Sequence, residues 1–361
     1  MALPAIENVR VILGGSRIVD ETVDLIGRAR TSLSGEFFTA NEDVSRAALK
    51  AAWQDRGVPG SALITAHPQS VEQLEGVRGA RTAVAHYGGI APSTAPREFI
   101  HTKSVAINKD DAPEAILGSA SLSPDSRWRF EAAGHVRGDV ARAVHELPDA
   151  AASGDWQRQR DSIEWAQSLG VYLTDPVSRG RGLPHMISEL IATEPRHLTV
   201  ATKSFFNVEV AEQIARRHVD DKLPIDIIVK RIDEESERVL RSAGVNLLKP
   251  ADDVPEIHGN VTVATGLDQA YVGSLWFSRR SALDDLHPNP FTGGGGTLPR
   301  PQWWDRSREL GFLTNDSIAV NDLREGVATL LKPRGHDFQA EVIRPTAAAR
   351  AELQRFGMFA E

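Results

Sequence analysis

The stretch FIHTKSVAINKDDAPEAILGSAS, Phe99 to Ser121, returns later in the chain in altered form as EIHGNVTVATGLDQAYVGSLW, Glu256 to Trp276. In each, an Ile-His pair opens a run of alternating apolar and polar residues, a polar turn follows, and a second apolar run ends in Gly-Ser. Alternation marks a β-strand, whose successive side chains point to opposite faces. It predicts a half-buried strand with His101 and Lys103 on one face and Ile100, Thr102 and Ser104 on the other. Such a pair is ordinary surface decoration when it stands alone. A second copy of the layout, with His258 at the position of His101, changes that reading.

The duplication extends outward. TSLSGEFFTANEDVSRAALKAAWQDRGVPGSALIT (Thr31 to Thr65) and RHLTVATKSFFNVEVAEQIARRHVDDKLPIDIIVK (Arg196 to Lys230) both read as strand, paired phenylalanines, helix, strand, with Phe37 and Phe38 answering Phe205 and Phe206. Downstream, WRFEAAGHV (Trp128 to Val136) matches SRELGFLT (Ser307 to Thr314), which aligns Glu131 with Glu309. Each half offers one histidine and one later carboxylate. The expectation is an α/β protein of two repeats, residues 1–165 and 166–361, each a β-sheet with helices.

Composition narrows the chemistry. The 361 residues are 41% hydrophobic and 25% charged, an ordinary globular balance long enough for two cores. With 49 acids against 41 bases, a net charge of -8, the surface as a whole is no nucleic-acid coat, although a local basic groove is compatible with it. The chain has no cysteine, which removes disulfides, thiol nucleophiles and thiolate-ligated zinc or iron–sulfur sites together. His185 and His287 stand near predicted loops without metal-ligand spacing, so neither a metal nor a cofactor is expected. Glu7 and Arg10 interrupt the opening MALPAIENVRVILGG, which therefore does not read as a secretory signal, and no run is apolar enough to span a bilayer. A cytoplasmic protein is expected, and the Ala, Arg and Gly bias suggests a bacterial source.

The duplicated pattern resembles the phospholipase D superfamily, whose repeats carry H-x-K-x4-D, then G-[SG]-x-N and a downstream acid. The resemblance runs from about Asp20 to about Leu331. It implies an α/β/α sandwich of two pseudo-twofold-related repeats, each a mixed β-sheet flanked by helices, in which both histidines meet at the seam, one attacking phosphorus and the other protonating the leaving oxygen. The departures are specific. In the first copy Asn108 stands for the aspartate and Ser121 for the asparagine; in the second, Asn260 replaces the lysine, Thr265 the aspartate and Trp276 the asparagine.

An attacking imidazole must be neutral and aimed through one nitrogen, which a carboxylate on its other N–H secures. Glu131 is expected to orient His101, and Glu309 to orient His258. Lys103 would neutralise the non-bridging oxygens; losing one such donor costs about 10²- to 10³-fold. Asn260 retains one neutral amide donor, and Lys203, near the carboxyl end of a predicted strand, is a candidate replacement cation. Ser119 and Ser274 are read as turn residues that also donate to phosphate. Ser121 is placed beside them, and Trp276 as a wall for a ring or base.

The segment LHPNPFTGGGGTLPRPQWWDRSR, from Leu286, leaves the inferred site as a long loop and reads as a lid with Trp303 and Trp304 at the mouth. VILGGSR (Val11 to Arg17) lacks the later glycine and acid of a dinucleotide site, and Gly293–Gly296 lacks the Lys-Ser or Lys-Thr of a P-loop. The resemblance thus implies a phosphodiesterase or phosphoryl or phosphatidyl transferase working through a phosphohistidine, including a nuclease. Its substrate would be a phosphodiester in nucleic acid, phospholipid or a small metabolite, handled without stable membrane insertion. The alternative is an inactive phosphate-binding or scaffold protein of the same fold.

Overall fold

In the computed structural model, residues 3–65, 68–87, 99–175, 180–251, 254–275, 277–278 and 307–332 are described. Two large mixed sheets organise them. The first is seven-stranded, in the order β1 (Arg10–Leu13), β9 (Ala132–Arg137), β7 (Glu114–Gly118), β6 (Ser104–Ile107), β2 (Leu33–Phe37), β3 (Gly60–Thr65) and β4 (Thr82–Tyr87). The second carries β10 (Val171–Asp175), β19 (Ser307–Thr314), β17 (Gln269–Gly273), β16 (Asn260–Ala264), β12 (Leu198–Phe206), β13 (Ile225–Ile232) and β14 (Asn246–Leu248) in the same spatial sequence. Within each, the last three strands run parallel and the other neighbours antiparallel. The repeat read from the sequence is therefore a repeat of topology.

Parallel neighbours need a crossover, and helices supply it. α2 (Asp43–Lys50) links β2 to β3 and α7 (Val208–Asp220) links β12 to β13, as the paired-phenylalanine segments predict. α3 (Pro68–Glu75) and α8 (Glu234–Ala243) make the next crossovers. Side-chain caps fix the starts: Asn207 accepts the amide of Val210 at 3.0 Å, and Glu42 accepts that of Ser45 at 2.7 Å. α1 (Gly15–Gly27) follows β1; Gly14, at φ 89°, makes the turn, and a Cβ on Gly15 would lie 1.5 Å from the Ser126 carbonyl oxygen. Gly14 is thus required by the turn and Gly15 by packing.

α4 (Gly138–Ser153), α5 (Trp156–Ser168), α6 (Gly182–Thr193) and α9 (Ser317–Thr329) complete the helical layers. One apolar cluster gathers α1, α2 and the outer face of the first sheet; a second gathers α6, α7, α8 and the second sheet. A third lies between the sheets, where Val11, Leu117 and Val136 join Val261, Val272 and Phe312 with residues of α4 and α9. There Gly134 faces Phe312 so closely that a Cβ would come 2.7 Å from the ring.

Five short strands remain, and two of their pairings tie the halves: β5 (Phe99–Ile100) with β19 of the second sheet, and β8 (Arg129–Phe130) with β15 (Glu256–Ile257) in a separate parallel ribbon. β11 (Gly180–Arg181) pairs β10, and β18 (Phe277–Ser278) pairs β12. Here the structure corrects the sequence. The run from Phe99 is two strands in two sheets, broken at His101-Thr102-Lys103, and every residue from Ile100 to Ile107 is buried. Alternation suggested one solvated face; the chain instead crosses from one lobe to the other, and both its sides are covered.

Candidate active site

The two histidines stand at equivalent breaks. His101 follows β5, and its amide donates to the Arg308 carbonyl at 2.9 Å; His258 follows β15, and its amide donates to the Phe130 carbonyl at 3.0 Å. Each carbonyl belongs to the residue immediately before a glutamate. The backbone therefore hangs each histidine on the strand that carries the other repeat's carboxylate.

The side chains complete the exchange. His101 Nδ1 lies 2.9 Å from Glu309 Oε2, and His258 Nδ1 lies 2.7 Å from Glu131 Oε1. The expected pairing of Glu131 with His101 and Glu309 with His258 is thus reversed. Sequence order puts each glutamate after its own histidine, but the lobes meet face to face and the near partner is across the seam. All four groups are buried, and the charge of a protonated His258 is felt at His101.

Ser119 and Ser274 sit behind the glutamates. Ser119 donates to Glu131 Oε2 at 2.5 Å and accepts the Ala132 amide at 3.0 Å; Ser274 donates to Glu309 Oε2 at 2.5 Å and accepts the Leu310 amide at 3.1 Å. A hydroxyl has one proton to give. Both are spent on carboxylates, which corrects the expectation that these serines donate to phosphate. Gly259, where the first repeat has Thr102, lets the His258 turn lie on this assembly: a Cβ there would come 3.0 Å from Ser119 Oγ and 3.1 Å from Glu131 Cα.

Lys103 is buried, donates to the His101 carbonyl at 2.5 Å and lies 5.3 Å from the centre of the Phe38 ring, which also meets the His101 ring edge-on at 5.4 Å. Burial pushes the ammonium down to about 8, against the pull of Glu309 and Glu131. Burial also lowers the pKa of His101; Glu309 opposes this and Lys103 adds to it. Burial would raise Glu131, but His258 and the Ser119 hydroxyl outweigh it and hold the carboxyl below its usual range. The downward shift favours the neutral imidazole at neutral pH, with Nδ1 held by Glu309.

The other expected residues divide. Asn260 is fully buried; its Oδ1 accepts from Thr202 at 2.5 Å, and its Nδ2 has no hydrogen-bond partner among the described residues. Ser121 is buried beside the bridge between Ala40 and Leu122. Asn108, in the aspartate position, is a turn residue at φ 53° that accepts the amides of Arg30 and Thr31. Lys203 pairs with Glu256 at 3.4 Å, so it does not stand in for the missing second lysine. Neighbouring side chains of a strand point opposite ways, and Thr202, not Lys203, faces Asn260. Trp276, His287, Gly293–Gly296, Trp303 and Trp304 lie outside the described residues; His185 is exposed on α6. Among the described residues no group of three His, Asp or Glu is placed to hold a metal. None of their helices is long and apolar enough to cross a membrane.

Sequence reasoning missed a buried charge cluster beside the site. Arg308 donates through Nη2 to Glu36 Oε1 at 2.6 Å and through Nη1 to Asp175, with all three at most 1% exposed. Its signal was present: Glu36 is a charge inside the apolar strand LSGEF, and Arg308 adjoins Glu309. Arg308 binds both lobes while its carbonyl holds His101.

No known family profile matches the sequence, and no curated protein does. Solved structures do match. A polyphosphate kinase from Porphyromonas gingivalis superposes with a TM-score of 0.62 at 15% identity over 97% of this chain. The phosphatidylserine synthase of Haemophilus influenzae Rd KW20 gives 0.63 at 11% identity over 98% of this chain and 95% of its own. The fold is phospholipase D-like. The chain spans 55% of the length of the polyphosphate kinase.

Proposed function

We propose that the protein is a phospholipase D-like enzyme that transfers or hydrolyses a phosphoryl or phosphatidyl group through a phosphohistidine. The observation that carries this reading is the pair of crossed, buried His–Glu units around one lysine. Similarity to the polyphosphate kinase and the phosphatidylserine synthase, both named for chemistry on phosphorus, supports it.

His101 is the nucleophile. Its Nε2 lone pair attacks phosphorus, the bond to the leaving oxygen breaks, and His258 gives that oxygen its proton. Lys103 holds the non-bridging oxygens as negative charge builds, and only this half retains a lysine. The Nδ2 donor of Asn260 takes the corresponding place in the second half, weaker for being neutral. In the second step water or an alcohol attacks the phosphohistidine, the P–N bond breaks, and His258 recovers a proton from the incoming oxygen.

The test is mass spectrometry of enzyme quenched with an activated phosphodiester. His258→Ala is expected to accumulate phosphate on His101, because a good leaving group departs without a proton, while His101→Ala forms no adduct. Phosphate on His258 would reverse the roles. Absence of any adduct and of turnover across nucleotide, phospholipid and small-metabolite esters would favour the inactive phosphate-binding alternative.

A further inference from the structure

The β8–β15 ribbon carries more than the catalytic pair. Its register sets Glu256 opposite Arg129 and Ile257 opposite Phe130, and the next residues are His258 and Glu131. Arg129 and Glu256 thus stand two residues before Glu131 and His258, a backbone span of at most about 7 Å. Around Glu256 three cations gather: Lys230 Nζ at 3.0 Å, Lys203 Nζ at 3.4 Å and Arg129 Nε at 3.7 Å. Lys203 and Lys230 sit on neighbouring parallel strands between the register pairs Thr202–Val229 and Ser204–Arg231, an arrangement of like charges that destabilises a sheet unless an anion lies between them. Asp125 also holds Arg129, at 3.4 Å, so two carboxylates stand here against the three cations. Lys203 is 15% exposed and Arg129 21%, so the cluster opens to solvent at one side, and the charge of Arg129 is felt at Lys103.

We propose that Arg129, Lys203 and Lys230 form a subsite for a second phosphate of the substrate, next to the phosphate that reacts at His101 and His258. The inference rests on the phosphoryl-transfer reading for its orientation, but the subsite itself is a matter of binding. Protein of net charge -8 that concentrates cations at one spot beside its reactive centre selects anions there and nowhere broadly. The substrate class is a molecule with at least two phosphates, the second held by charge-assisted bonds. Glu256 positions the three cations and keeps the empty subsite from repelling itself.

The experiment measures calorimetric binding to His101→Ala protein, which leaves the probes intact. The probes are a thymidine dinucleotide, with one phosphate, the same dinucleotide bearing a 5′-phosphate, and inorganic tripolyphosphate. The second phosphate is expected to tighten binding by about tenfold or more at low salt and less at high salt. Adding Lys203→Ala and Lys230→Ala together is expected to bring the two dinucleotides within about twofold of each other, and Lys230→Arg to preserve the preference. Tripolyphosphate bound with the same dependence, and without the dinucleotides, would support the subsite and identify its ligand as a linear phosphate chain. Equal affinity for both dinucleotides with no binding of tripolyphosphate, or a preference that survives the double substitution in protein of unchanged thermal midpoint, would overturn the proposal. The phosphohistidine reading fails separately, through absence of the adduct on His101.

Discussion

A lysine enclosed beside two histidines is a liability that the site accepts. The depression of Lys103 from 10.5 to about 8 means that the folded state disfavours its charge. The sign is that of a cation with a folded pKa below its unfolded one: the penalty is full below about 8, and stability is regained as pH rises from there toward the unfolded value. By 1.36 kcal/mol per unit the penalty is roughly 3 kcal/mol. Lys103→Met is therefore expected to raise the thermal midpoint at pH 7, by a margin that narrows above pH 8, while abolishing turnover; a midpoint that falls at pH 7 would refute this. On the proposed function, turnover by the unsubstituted protein should decline above pH 8 as the ammonium is lost. On the acid side it should decline only below the ordinary imidazole range of about 6.5, since His101 is shifted down. Ser119→Ala removes the hydroxyl donor to buried Glu131 and is expected to cost about 1–3 kcal/mol in denaturant unfolding, with reduced turnover.

At the level of elements, the seam ribbon sets how closely the lobes can approach. Gly259→Ala places a methyl against Ser119 and Glu131 and should lift the His258 turn away from its carboxylate, lowering turnover far more than the melting temperature. Equal losses in both would show that the contact is purely structural. The strands and crossovers on either side of this ribbon were legible in the sequence because periodicity and the paired phenylalanines are local signals, and the two histidines and two glutamates because the pattern occurs twice. The pairing across the seam was not, since spacing along a chain carries no information about which lobe a carboxylate faces. Ser119 and Ser274 were misread for a related reason: a serine beside glycine suits both a turn and a phosphate, and only the position of Glu131 and Glu309 decides where its one proton goes. Lys203 was read as a strand's end, but β12 runs on to Phe206 and the lysine lies on the side away from Asn260, a distinction that rests on a single residue of register.

For the molecule as a whole, the exchange of glutamates would make each half-reaction of the proposed mechanism depend on both lobes. Glu309→Gln acts on His101 and should slow phosphoenzyme formation with every substrate. Glu131→Gln acts on His258 and should slow esters with poor leaving groups much more than nitrophenyl esters, which need no proton. Rapid-quench rates for the two variants on the two ester types check this; the opposite assignment of effects would return the glutamates to their own repeats. Arg308, between Glu36 of the first sheet and Asp175 of the second, holds the lobes in the register that this chemistry requires.

The matched strand orders of the two sheets also bear on descent. Were the halves separate identical chains, they would meet as a symmetric dimer, and any substitution would strike both sides of the seam at once. A lysine lost beside one histidine would be lost beside the other. Joined in one polypeptide, the copies are free to differ: Lys103 answers to Asn260, and the apolar Phe130 to Arg308 in its ion cluster. Covalent linkage thereby turns an obligatory symmetry into a division of labour, and the residues at which the copies disagree are the record of which task each has kept.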